Sequence, residues 1–176
     1  LKREMATAKF LVFQDNPGEG MQPEIFKRFY WWEDECTERI KKASGVSVVK
    51  RSFRELGAAA AKISDAEAAQ AWAKRRIPCD SLSERQIDSA MKMLLALERE
   101  LDADPSVRGI GINCLNESRF SDTTPCLAWS ILFQERKLIW GCEADTMSML
   151  SQYALLPLGA PMMMTNLYPF LLGDAA

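Results

Sequence analysis

The sequence predicts an α/β fold: a three-layer, doubly wound, mostly parallel sheet of about five strands, with helices on both faces. Short apolar runs alternate along the chain with longer segments in which apolar residues recur every three or four positions. This alternation is typical of parallel sheets whose crossovers are helices. No repeat, low-complexity run or linker divides the 176 residues, and a chain of that length can bury a core without disulfides. We therefore expect a single domain over residues 1–176.

Five short apolar runs are predicted as strands. Each contains four to eight residues rich in aliphatic, aromatic or methionine side chains, and Gly, Pro, Asn, Asp or Ser follows or precedes it. Runs of this length beside turn residues are typical of strands buried in a parallel sheet. In chain order they cover residues 8–14, 46–49, 107–114, 137–140 and 160–166.

The segments between these runs have helical periodicity. In the first helix, apolar residues recur every three or four positions, and Gly45 can end it in the left-handed conformation. Ser64 and Glu67 form a predicted capping box at the start of the third helix, and Thr123 or Thr124 is expected to cap the fifth. The predicted helices cover residues 24–44, 53–63, 65–76, 83–102, 125–133 and 145–156.

Composition excludes several classes of function. A net charge of −2 without a clustered basic face argues against nucleic acid as a partner, and no apolar stretch is long enough to span a membrane. The five cysteines are spread out and form no C-x-x-C pair, which favours reduced thiols in the cytoplasm. The chain contains no histidine, so it supplies no imidazole as a base or metal ligand. Because it opens on Leu1 and has no closing helix, we expect it to be part of a longer polypeptide.

Polar residues follow the predicted strands, where parallel sheets bind ligands. Asn16, Asp122 and Asp145 are candidate substrate-binding residues, although turn formation and helix capping are the simpler explanation of such residues. Glu143 lies before the cap position and has no such local task, so it is the leading candidate for metal coordination or proton transfer. A carboxylate with an amide oxygen and waters is a plausible part-site for a hard divalent cation.

Other patterns are weaker signals of chemistry. The loop after the first strand is glycine-rich but lacks the dinucleotide and P-loop motifs. Cys126 and Cys142 have no histidine in the chain to activate them as nucleophiles. Trp31, Trp32 and the methionines at 162–164 are predicted to be core residues.

Three segments together resemble the L-fucose isomerase-like family, and in particular its middle domain. They are residues 122–130 (DTTPCLAWS), 142–145 (CEAD) and 158–161 (LGAP) with the chain up to Asn166, and the resemblance is best over residues 107–168. The family converts aldoses to ketoses through an enediol, with a divalent cation, usually Mn²⁺. The resemblance implies that Glu143 is the metal-binding, proton-transferring glutamate. Asn166 corresponds to a metal-binding aspartate of the fucose isomerases proper.

The resemblance also implies an incomplete site. The remaining metal ligand of the family is a histidine in a later domain, which this chain lacks. The leading hypothesis is therefore one domain of a sugar isomerase, inactive alone, that acts with other domains of the same chain and in a homo-oligomer. The alternative is a non-catalytic sugar-binding or interaction module, which Asn166 and the missing histidine favour. A third hypothesis is an anion- or nucleotide-binding domain that uses the loop after the first strand.

Overall fold

A computed structural model of the chain describes residues 1–15, 28, 30–114, 121–159, 162 and 164. Its strands are β1 (Lys9–Phe13), β2 (Ser47–Arg51), β3 (Val107–Ile112) and β4 (Ile139–Cys142). Its helices are α1 (Lys2–Met5), α2 (Asp34–Ser44), α3 (Phe53–Ala61), α4 (Asp65–Arg75), α5 (Glu84–Ala103), α6 (Cys126–Arg136) and α7 (Thr146–Leu155), with a 3₁₀ turn at Leu156–Leu158. Within the described ranges, no helix has the length and apolar content needed to cross a membrane.

The four strands form one parallel sheet in the order β2-β1-β3-β4. The register pairs Phe13 of β1 with Ile112 of β3, and Ile112 in turn with Cys142 of β4. All the carboxyl ends therefore meet at one edge, called here the carboxyl edge. The chain runs from β1 outward to β2 and then crosses to β3 on the other side of β1. In sheets of this kind, ligands bind outside the strand ends where the order reverses.

Helices cover both faces of this sheet, as the alternation of side chains along each strand requires. On one face, Phe13 and Ile112 share a core with buried residues of α3 to α6, including Leu94 and Leu97. On the other face, Phe10 and Ile139 pack with Ile40 of α2 and Met149 of α7, and this set of residues is called here the α7-face core. The predicted α/β, doubly wound architecture is confirmed.

The strand count differs from the prediction. Within the described residues the sheet has four strands instead of about five, and all of them are parallel. The expected strand at 160–166 lies outside the described residues except for Met162 and Met164, and neither of these is in a strand.

Glycines let α7 lie close to the sheet. Gly109 and Gly111 of β3 and Gly141 of β4 all face Met149, and a Cβ atom added at any of them would come within 3.0 Å of its side chain. At Gly141 the added Cβ would also lie 2.9 Å from the backbone oxygen of Asp145, at the start of α7. The turn after β4 is thus held against the sheet by backbone as well as side-chain contact.

Two predicted helix ends, each specified by residues close together in sequence, were confirmed. Ser64 and Glu67 form the predicted capping box, and Gly45 ends α2 with φ of +88°. The predicted cap at Thr123 or Thr124 is wrong, because Pro125 occupies the N-cap position of α6 without a side-chain bond. A proline there has no N–H group that needs a partner.

The prediction of one continuous helix over 24–44 is wrong at residues 30–33, although Arg28 is helical. Helix α2 begins only at Asp34, and Trp31 has the left-handed φ of +60°. At this break the Thr146 hydroxyl, distant in sequence, donates to the Tyr30 carbonyl at 2.8 Å. That carbonyl is thereby engaged outside any helix. Trp32 is buried, as expected of a core residue, and Trp31 is partly buried.

Candidate functional site

Asn113 lies at the point of the carboxyl edge where the strand order reverses. Its backbone N–H donates to the Phe13 carbonyl at 2.9 Å, which fixes it between β1 and β3. The residue is 1% exposed, yet neither Nδ2 nor Oδ1 has a hydrogen-bond partner among the described residues. Gln14, the residue after β1, has a buried Oε1 that likewise has no hydrogen-bond partner among the described residues. A buried polar group left without a partner costs roughly 1–3 kcal/mol, so this pair of amides needs an explanation.

Asn113 lies within the third predicted strand, 107–114, and the sequence did not single it out. Gln14 was the last residue of the first predicted strand. The available signal was position, since each amide directly follows one of the two strands beside the reversal of strand order. Nothing in the sequence shows that these polar atoms are buried.

Asp15 is used to cap a helix. Its carboxylate accepts the backbone N–H of Arg54 at 2.8 Å, in the first turn of α3. The hydroxyl of Ser52, the N-cap residue, accepts from Glu55 at 3.1 Å in the same turn. Helix capping thus accounts for this carboxylate.

Glu143 lies in a strained turn between β4 and α7. Glu143 and Ala144 have φ of +55° and +59°, a left-handed conformation that costs a non-glycine residue roughly 1–2 kcal/mol. The turn is closed by the Ala144 N–H, which donates to the Gly141 carbonyl at 3.2 Å. The side chain of Glu143 accepts a short hydrogen bond from the Tyr30 hydroxyl.

Hydrogen bonds join the segment at 30–32 to this turn and to the start of α7. Besides the bond from Tyr30 to Glu143, the indole Nε1 of Trp32 donates to the Ala144 carbonyl at 2.7 Å, and Thr146 donates to the Tyr30 carbonyl. The rings of Tyr30 and Trp32 stack with their centroids 5.5 Å apart. We call these residues the Tyr30–Glu143 clamp. Glu143 was predicted to have no local task, and its partner is not local: Tyr30 lies 113 residues away in sequence.

The clamp fixes the protonation state of Tyr30. Burial, followed by the hydrogen bond to the Glu143 carboxylate and its charge, holds the pKa of the phenol far above its ordinary value of 10.0. Tyr30 is therefore a hydrogen-bond donor at neutral pH and does not act as a base there.

We expect this raised pKa to make the protein less stable in alkaline solution. A tyrosine pKa that is higher in the folded state favours folding below pH 10, and this contribution is lost as the pH rises toward the folded value. Tyr30→Phe removes this dependence, so its unfolding free energy declines less steeply above pH 10. Glu143→Gln gives an intermediate slope, because burial of Tyr30 remains. Urea unfolding measured from neutral pH to above pH 10 checks both variants. If the free energy of unfolding declines with pH equally in wild type and Tyr30→Phe, the raised pKa of Tyr30 is contradicted.

Of the other predicted site residues, the structure describes Asp145 and Asp122, and each is hydrogen-bonded to a helix. Asp145 is the N-cap of α7: one carboxylate oxygen accepts the backbone N–H groups of Met147 and Ser148 at 3.0 Å, and the other accepts the Ser148 hydroxyl at 2.6 Å. Asp122 accepts the hydroxyl of Ser89, on α5, at 2.9 Å. Asn16 and Asn166 lie outside the described residues.

The described residues do not by themselves fit a divalent cation. In the part of the chain that the structure describes, no group of three or more His, Cys, Asp or Glu side chains could hold a metal ion. The carboxylates of Glu143 and Asp145 already accept hydrogen bonds from Tyr30 and from α7. We therefore derive no chemical step through a metal.

A groove of about 410 Å³ lies at the opposite, amino end of β3 and β4. It is lined in part by Arg108, Arg136, Lys137 and Asp102. Arg136 pairs with Asp102 at 2.7 Å, and these two residues and Lys137 lie at the carboxyl ends of α5 and α6. Cations at helix carboxyl ends complement the helix dipole, so we assign no ligand to this groove.

Comparison with known proteins identifies no family for this chain. No protein-family model matches it, and a search of curated proteins finds no match. The resemblance to the L-fucose isomerase-like family therefore stays a prediction, together with the Mn²⁺ site, the further domains and the homo-oligomer that it implies.

Proposed function

We propose that this chain binds an uncharged, polyhydroxylated small molecule of the sugar class at the carboxyl edge of the sheet. The binding groups are the side-chain amides of Asn113 and Gln14. The observation that carries the proposal is Asn113, which is buried and whose two polar side-chain atoms have no partner among the described residues.

The chemistry of the amides indicates the class of ligand. An amide offers both donors and an acceptor, and a hydroxyl group can satisfy either. A ligand with several hydroxyls could bond to Nδ2 and Oδ1 of Asn113 and to Oε1 of Gln14 together. Binding would then remove the penalty that these atoms carry in the unligated protein.

The charges beside β4 favour an uncharged ligand. Glu143 and Asp145 are both carboxylates, and like charges repel a phosphate or carboxylate ligand. This argues against the anion- or nucleotide-binding hypothesis. Within the proposal, Glu143 is a positioning residue, since its bond with Tyr30 holds the turn at the same edge of the sheet as the amides.

Metal-assisted aldose–ketose isomerisation is the second candidate, within a longer cytoplasmic protein. The observation in its favour is the left-handed backbone of Glu143, because strain of this kind clusters at functional sites. In that case Glu143 would exchange protons with the sugar, and the remaining groups would come from outside this chain. We expect the isolated chain to be inactive in either case.

The test measures the binding of L-fucose and of L-arabinose to the chain. Saturation-transfer NMR and calorimetry detect the binding, with and without Mn²⁺. Without metal, we expect saturable binding that Asn113→Leu weakens about tenfold or more, because two hydrogen bonds of roughly 0.5–1.5 kcal/mol each are lost. The same substitution leaves the free energy of unfolding unchanged or raised, since it replaces an unpartnered amide with an apolar group of similar size.

The matched control is Gln70→Leu, which removes an exposed amide from α4 and should leave binding unchanged. Wild-type affinity in Asn113→Leu would exclude Asn113 from the site. Binding that requires Mn²⁺ and disappears in Glu143→Gln would support the isomerase instead. No binding of either sugar under any condition would overturn both candidates.

A further inference from the structure

Two thiols meet at the carboxyl edge. The Sγ atoms of Cys114 and Cys142 lie 3.5 Å apart, in a thiol–thiol contact between half-buried residues. Cys142 is the last residue of β4, and it pairs in register with Ile112, two positions before Cys114. The sheet topology thus brings together two cysteines that are 28 residues apart in sequence.

We propose that Cys114 and Cys142 are a redox-active dithiol that closes to an intramolecular disulfide across the ends of β3 and β4. Cys114 lies two positions beyond the residue of β3 that pairs with Cys142, so the contact between the two sulfurs, and not the strand spacing, carries the proposal. Forming the bond brings the sulfurs from 3.5 Å to about 2.05 Å. Rotation of two half-buried side chains can supply this movement.

The oxidant is a low-molecular-weight disulfide such as oxidised glutathione. One cysteine thiolate attacks a glutathione sulfur, which forms a mixed disulfide and releases one glutathione thiolate. The second cysteine thiolate then attacks the protein sulfur of that mixed disulfide and releases the second glutathione thiolate. The two protons lost by the cysteines go to the two departing thiolates. The protein loses two electrons and two protons, and one oxidised glutathione becomes two reduced ones.

The location of the bridge gives it a structural consequence. Cys114 directly follows Asn113, and Cys142 directly precedes Glu143. A bridge between them ties the end of β3 to the strained turn after β4. It also closes a loop that contains α6, which restricts the unfolded chain. The inference depends only on the sulfur geometry and not on whether a sugar binds.

The test is to incubate the reduced, folded chain with oxidised glutathione and count its thiols by mass spectrometry. We expect two of the five thiols to disappear, with a mass loss of two hydrogen atoms, no glutathione adduct and a peptide containing Cys114 linked to Cys142. The melting temperature of the oxidised protein should rise by roughly 4–12 °C.

Single-serine variants identify the pair. In Cys114→Ser or Cys142→Ser, the remaining partner should retain glutathione as a mixed disulfide, because no second thiol displaces it. Cys126→Ser, which changes an exposed cysteine at the start of α6, should still lose two thiols. If a serine variant does not fold, the wild-type peptide map decides alone. Five retained thiols, glutathione adducts without an internal bridge, or a bridge between other cysteines would each overturn the proposal.

Discussion

Replacing Trp32 with alanine is expected to lower the free energy of unfolding by about 3–5 kcal/mol, the usual range for a buried tryptophan. Trp32 is only 2% exposed, and its ring stacks on Tyr30. Its Nε1–H also satisfies the Ala144 carbonyl at 2.7 Å. The substitution therefore leaves a cavity and an unpaired carbonyl, and it removes the bond by which Trp32 contributes to the Tyr30–Glu143 clamp.

Two phenylalanine variants separate the hydrogen bond from the packing. Trp32→Phe keeps an aromatic ring but removes Nε1, so we expect a further penalty of about 1–3 kcal/mol for the carbonyl left unpaired. The matched control is Trp129→Phe, because Trp129 is equally buried and its Nε1 has no partner in the described part of the chain. Urea unfolding followed by circular dichroism measures both. Equal losses in the two variants would mean that the bond to Ala144 contributes nothing.

The fold could be predicted from the sequence because its signals are local. The longest helix, predicted over 83–102, is Glu84–Ala103, and the capping box of Ser64 follows directly from residue spacing. The fourth strand was predicted two residues too early, over 137–140 instead of Ile139–Cys142. Gly141 is typical of a turn, but here it is a strand residue, and its lack of a side chain makes room for Met149.

The candidate site was less predictable because its contacts are distant in sequence. The Glu143 carboxylate was selected for lacking a local partner, and its partner proved to be Tyr30, from a segment that was predicted to be helical. The amide of Asn113 and the contact between Cys114 and Cys142 depend on which strands are neighbours, and residue spacing alone does not give the strand order. In contrast, the cap at Asp145 was foreseen as a structural alternative, because N-capping is a local interaction.

Strain and unpaired polar atoms occur together at this edge. The left-handed residues of the turn after β4 and the amide of Asn113, which has no partner among the described residues, each lower stability, and both lie at the ends of neighbouring strands. Such features persist where the surrounding structure enforces them. Here the clamp on one side and the packing of α7 against strand glycines on the other supply that enforcement. The packing of α7 can be tested directly.

Gly141→Ala is expected to destabilise the protein by about 2–3 kcal/mol, at the upper end of the range for overpacked cores. The new Cβ would lie 2.7 Å from Cγ of Met149 and 2.9 Å from the backbone oxygen of Asp145. That oxygen accepts the N–H of Met149 at 3.1 Å in the first turn of α7, so relief requires the helix start to move. Because Glu143 lies in the same turn, the movement should also weaken its bond with Tyr30.

Gly109→Ala is the matched control for this prediction. Its new Cβ would meet the terminal Cε of Met149 and the ring of Phe10, both side-chain atoms, and no backbone atom is among its three nearest contacts. The neighbours there can adjust without shifting α7, so we expect a smaller loss of stability than in Gly141→Ala. Urea unfolding gives the free energies, and the alkaline decline in stability attributed to Tyr30 reports on the clamp. A Gly141→Ala protein with wild-type stability and an unchanged alkaline decline would show that contact with α7 does not hold the turn.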